Sequence, residues 1–95
     1  MQASLEKKYK QLFIDVSQYE QPKPFEKVIQ LLLTIKKGQY ICMHHRKEPL
    51  PLLQFLQEHG FAFLSSEQQS HQWEVIIWNK KDKGLEKHCL TQFSA

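Results

Sequence analysis

Apolar residues along this chain keep two rhythms, and the switches between them mark the elements. Leu12–Val16 (LFIDV) is a run of β-formers and predicts a first strand. Ser17–Pro24 is polar, and its Pro22 and Pro24 suit a turn or a first helical turn but no helix interior. Phe25, Val28, Ile29, Leu32 and Leu33 then recur at spacings of three and four, the mark of one buried face on a helix over Phe25–Lys36. Lys36 and Lys37 suit the negative end of its dipole, and Gly38 suits a left-handed cap. Gln39–His45 predicts a second strand. Leu50–His59 predicts a second helix, with Pro49 near its first position, Gly60 at its C-cap, and Leu52, Leu53 and Leu56 facing inward beside Phe55.

Phe61–Ser65 predicts a third strand and the polar Ser66–Ser70 a hairpin loop. In the fourth strand, Gln72–Asn79, alternation puts Trp73, Val75 and Ile77 on one face and Ile76 and Trp78 on the other. At the N-terminus, Leu5 and Tyr9 are spaced as partners on a short, frayed helix. After Lys80 the pattern dissolves; Leu85, Leu90 and Phe93 could pack a short helix back on the body, but they are too sparse to commit the segment to it.

The order is therefore β-α-β-α-β-β. A parallel β-α-β start takes a right-handed crossover, so both helices cover one face of the sheet. The expected fold is α/β (α+β): a two-layer sandwich, a mixed four-stranded sheet with two helices on one face and the other face partly open. Residues 1–11 read as an N-terminal extension, 12–80 as the domain and 81–95 as a C-terminal tail. No repeat, low-complexity tract or linker interrupts it.

Ninety-five residues, 41% hydrophobic and 12% aromatic, suit one small globular domain. No apolar run approaches the roughly 18 residues of a membrane span. The opening MQASLEKKYKQLF has lysines without an apolar segment behind them, so it does not read as a signal peptide, and a cytoplasmic location is expected. Cys42 and Cys89 form no CxxC pair; reduced thiols are expected, Cys42 as a small core residue and Cys89 exposed in the polar tail. Net charge is +3, from 13 Lys and Arg against 10 Asp and Glu, with Lys80, Lys81, Lys83 and Lys87 clustered near the C-terminus. A solvated tail is the plain reading of that cluster, attraction to a polyanion the sharper one.

Candidate chemistry concentrates where strand two meets helix two, at His44-His45-Arg46-Lys47-Glu48. Arg46 has a planar fork suited to carboxylate or phosphate, and Glu48 precedes the positive end of a helix. A docking or anion site competes there with a plainer reading, in which Glu48 caps the helix and pairs with Arg46 or Lys47. Cys42 and His44 share a strand face, but two ligands are too few for structural zinc, and His59, His71 and His88 stand at no ligand spacing. No metal or cofactor is assigned. A Cys42–His44 nucleophile is weakened by burial of the thiol, and no paired carboxylates, Gly-rich phosphate loop or serine elbow is present, so no catalytic residue is assigned. Tyr40, Trp73, Trp78 and Lys80–Lys83 are the residues an RNA-binding surface would use, if the tryptophans are not packed inside.

The β-α-β-α-β-β order with a proline pair opening helix one resembles the TusA/SirA-like fold, whose members carry Cys-Pro-x-Pro there and hold a persulfide on the cysteine. Here the segment is Gln21-Pro22-Lys23-Pro24. A glutamine amide forms no persulfide, so the resemblance implies the architecture without sulfur transfer. A closer resemblance, over roughly residues 12–80, is to an uncharacterised bacterial family in this fold. Its marks are an aspartate in strand one (Asp15), the Pro-x-Pro, a His/Arg-rich junction followed by Glu-Pro-x-Pro-Leu (His45, Arg46, Glu48, Pro49, Pro51, Leu52) and Gly60-Phe61. That resemblance brings a fold and no activity.

The expected role is a non-catalytic protein-binding or regulatory module with an unidentified protein partner and no membrane association. Its expected surface is Gln21, Pro22 and Pro24 with His44, His45, Arg46 and Glu48, because the segments after two parallel strands lie at one end of a sheet. The rival is weak RNA binding through Arg46 and the C-terminal lysines.

Overall fold

The computed structural model describes residues 9–94. Seven elements follow in order: β1 (Lys10–Asp15), α1 (Lys23–Leu32), β2 (Gln39–His45), α2 (Leu50–Glu58), β3 (Phe61–Gln69), β4 (Gln72–Asn79) and α3 (Lys83–Phe93). The strands form one mixed sheet in the order β1-β2-β4-β3, with β1 parallel to β2 and the other pairs antiparallel. The short helix expected around Leu5, and most of the expected N-terminal extension, lie outside the described residues. Among those described, no helix is long and apolar enough to cross a membrane.

Both α1 and α2 cover one face of the sheet, as the crossover argument requires. Val28 and Leu32 from α1 and Leu52 and Leu56 from α2 close over Ile41, Met43, Val75 and Ile77. Pro24 stands in the first turn of α1, where its missing N–H leaves no bond unmade. The helix stops at Leu32, four residues before Lys36. The Leu31 carbonyl is taken by both the backbone N–H and the hydroxyl of Thr34, at 3.0 and 2.8 Å, which tightens the last turn. Leu33 therefore leaves the buried face and stands 81% exposed. Gly38 is not the helix cap: at φ 84 it shapes a turn in which Gln39 N–H reaches the Lys36 carbonyl at 2.9 Å.

The expected hairpin loop also moves. The β3 strand runs on through Ser66 to Gln69, and the turn shrinks to Ser70 and His71, with His71 in the left-handed region at φ 61. Pairing with β4 holds the inner edge of this polar arm, through an irregularity between Glu67 and Gln69, without any apolar side chain of its own.

The largest correction concerns the C-terminal segment, which is a helix and not a tail. On the sheet face away from α1 and α2, Leu85 and Cys89 of α3 pack against Tyr40, Cys42, Ile76 and Trp78. Asp82 is the N-cap: its carboxylate accepts the Leu85 N–H at 3.3 Å and the Gly38 N–H at 2.8 Å. The Trp78 indole donates to Glu86 at 3.2 Å. Cys89, expected at the surface, is fully buried, and Leu90 takes the exposed side. Because α3 packs over the end of the sheet holding Tyr40 and Trp78, it leaves Phe13, His44 and Glu74 only partly covered at the other end.

Candidate functional site

Strands β1 and β2 run parallel, so Asp15 and His44 stand side by side and the loops after them open at one end. Arg46 ties those loops together. One guanidinium nitrogen donates to the Ser17 carbonyl, the other to the Glu20 carboxylate at 2.8 Å. Arg46 thus takes Glu20 as its partner in place of Glu48, and α2 starts at Leu50 behind Pro49 at the N-cap, with no side-chain cap bond. Glu20 is 83% exposed, so its ion pair is screened, worth about 0–1 kcal/mol. The backbone bond to Ser17 fixes the loop's path more than the charge does. Asp15 adds to it by accepting the Ser17 N–H at 2.9 Å, which holds its carboxyl below the usual range.

The seven residues expected to form one surface divide three ways. Gln21, Pro22 and Glu48 are exposed and Arg46 half-buried, all at the loop end. Pro24 is buried, lining with Pro49 and Pro51 a cleft of about 10 Å³, room for no more than one water. His45 is 2% exposed, and neither ring nitrogen meets a hydrogen-bond partner among the described residues. Burial first, then the Arg46 and Lys47 charges, push its pKa down and keep the ring neutral at pH 7. His44, one residue earlier, points to the opposite sheet face.

On that opposite face three chemically capable side chains meet. The β2–β4 register sets Glu74 across from His44 and Ile76 across from Cys42. The Cys42 thiol donates to Glu74 Oε2 at 3.5 Å, and His44 Nε2 lies 3.2 Å from the same oxygen. All three ligand atoms fall within 4.8 Å of one another. The Phe13 ring meets the His44 imidazole edge-on at 4.8 Å and limits its swing. An open cleft of about 330 Å³, bounded by Asp15, His44, Gln72 and Glu74, brings solvent to the His44 and Glu74 members of the group. Burial, with Glu74's charge and hydrogen bond, pushes the Cys42 thiol up to about 12, so it is no nucleophile near neutral pH.

Glu74 is the functional candidate that sequence reasoning missed. The sequence offers His59, His71 and His88 as third ligands. His59 instead stacks on Phe55 at 4.0 Å, and His88 stacks on Tyr9 at 4.8 Å. His71 is spent on the hairpin turn. The available signal was the alternation of β4, which places Glu74 on the same face as Ile76 and Trp78.

The geometry also divides the residues of the RNA reading. Tyr40 and Trp78 are buried under α3 and present no face for a base to stack on. Arg46 and the exposed Lys80, Lys81 and Lys83 lie beyond opposite ends of β2, about 20 Å apart for a seven-residue strand.

The model of the family described as an uncharacterized conserved protein (DUF2249) matches residues 13–79, and the chain belongs to that family. The matched span runs from within β1 to the end of β4, so α3 lies beyond it. No curated protein matches the chain.

Proposed function

We propose that this family member is a non-catalytic, TusA-like protein-binding module that docks a protein partner on the loop end of its sheet. The observation that carries this reading is the Arg46 clamp, which makes one fixed surface of the segments after β1 and β2. A surface whose loops are already held loses less freedom on binding and keeps more of its contact energy. Gln21, Pro22 and Glu48 lie on it, and Leu50 adds an apolar anchor, 61% exposed at the start of α2.

Its chemistry favours recognition over turnover. Gln21 stands where the sulfur carriers have their persulfide cysteine, and both thiols of the chain are buried and pushed up to about 12. A carrier thiol needs the reverse, an exposed group with a depressed pKa.

The test is affinity capture on immobilised full-length chain, with and without nuclease, wild type beside Leu50→Asp. Leu50 is exposed, so Leu50→Asp leaves thermal stability within about 0.5 kcal/mol of wild type. A defined protein retained after nuclease and lost with Leu50→Asp is the expected result. Capture that disappears with nuclease transfers the assignment to RNA, and equal capture by both forms removes the loop end from consideration.

A further inference from the structure

We infer that Cys42, His44 and Glu74 form a binding site for one thiophilic divalent cation of the zinc class, with a fourth position open to water or an exogenous donor. This site lies on the other sheet face from the helix entries and stands independently of the docking reading.

The separations come first. Around a tetrahedral zinc, with sulfur at about 2.3 Å and nitrogen or oxygen at about 2.0–2.2 Å, neighbouring ligand atoms stand roughly 3.3–3.7 Å apart. Cys42 Sγ and Glu74 Oε2 are 3.5 Å apart, and His44 Nε2 and the same oxygen 3.2 Å. The remaining pair, thiol and imidazole, is inside 4.8 Å, and a small rotation of the half-exposed His44 ring closes it.

Charge and placement agree with the distances. A thiolate, a carboxylate and a neutral imidazole sum to −2, which a divalent ion balances inside a partly buried site. On binding, the Cys42 S–H bond breaks, the sulfur lone pair goes to the metal, and one proton leaves to solvent; nothing is oxidised or reduced. All three ligands stand on paired central strands, which hold them more firmly than a loop would. The sulfur and imidazole donors discriminate against magnesium and calcium and favour zinc, cobalt or cadmium. Three protein ligands with a solvent-facing cleft is the pattern of a site that keeps an exchangeable position, not of a closed structural site.

The test uses full-length, metal-stripped chain titrated with Co²⁺ alone, followed by Zn²⁺ competition. The expected result is one cobalt per chain, with a sulfur-to-cobalt charge-transfer band and the visible bands of tetrahedral cobalt, all displaced by zinc. Cys42→Ser should abolish the charge-transfer band. Glu74→Gln, isosteric and so neutral for folding by circular dichroism, should weaken zinc binding by about tenfold or more. Cys89→Ala, whose thiol lies under α3, should keep the full spectrum. Absence of binding, a charge-transfer band that survives Cys42→Ser, a spectrum lost with Cys89→Ala, or unchanged affinity in Glu74→Gln each overturns the assignment.

Discussion

Cys89 shows how burial dominates a side chain's behaviour. Its thiol is enclosed between α3 and the sheet, and desolvation, followed by the Asp82 and Glu86 charges, pushes it up from 9.0 to about 12. In the unfolded chain it ionises near 9, while the folded chain holds its proton. The stabilisation is thus complete below pH 9 and is lost as pH rises from 9 towards 12. Urea unfolding of metal-free protein between pH 8 and about 11 should show stability falling with pH. Cys89→Ala should flatten that slope in part, because Cys42 titrates the same way. A slope unchanged in Cys89→Ala would mean that the thiol is solvated in the fold. Single residues of this kind were the least legible in the sequence. Cys89 stands among Lys87, His88 and Thr91, and nothing nearby shows that a helix turns it inward. His45 was hidden differently: neighbouring histidines look equivalent in a sequence, yet strand alternation sends one to the core and the other to the opposite face.

At the level of elements, β2 and β4 are readable to the residue and the two covering helices to within a few residues. The two strands carry apolar residues on both faces, and each helix carries enough at its own period to bury one face. The α3 helix escapes that test because its inward line is only Leu85, Cys89 and Phe93, one residue per turn, with polar groups around the rest. What fixes it is Asp82, bonded both to the helix start and to Gly38 in the turn before β2. Asp82→Ala removes both acceptors and should cost about 1–2 kcal/mol in urea unfolding followed by tryptophan fluorescence, with the m-value unchanged. A loss below about 0.5 kcal/mol would show that packing alone holds α3. The early end of α1 and the long arm of β3 share one cause: hydrogen bonds by Thr34 and by the β3–β4 backbone stop or extend an element without apolar residues.

For the molecule as a whole, chain direction was legible and strand neighbours were not. Two parallel strands deliver their following segments to one end, and that brings Gln21 and Arg46 to a common surface. Which partners meet there depends on tertiary placement. Arg46 reaches back 26 residues to Glu20 and leaves Glu48, two residues away. Glu74 reaches His44 only because β4 inserts between β2 and β3, a sheet order that strand periodicity does not determine.

That insertion has a kinetic consequence. Among the described strands, only β3 and β4 pair with no element between them, so their hairpin closes a short loop, whereas β1 joins β2 across α1 and β4 joins β2 across α2 and β3. The hairpin is therefore the natural nucleus, and its rate of closure passes through His71, an L-residue held at φ 61. His71→Gly relieves that conformation by about 0.5–1 kcal/mol and should speed refolding about two- to fivefold while leaving the unfolding arm of the chevron nearly unchanged. Slower unfolding with an unchanged refolding arm would place the hairpin late. If the turn does set the pace, the speed at which this chain reaches its fold is decided by two polar residues that touch neither core.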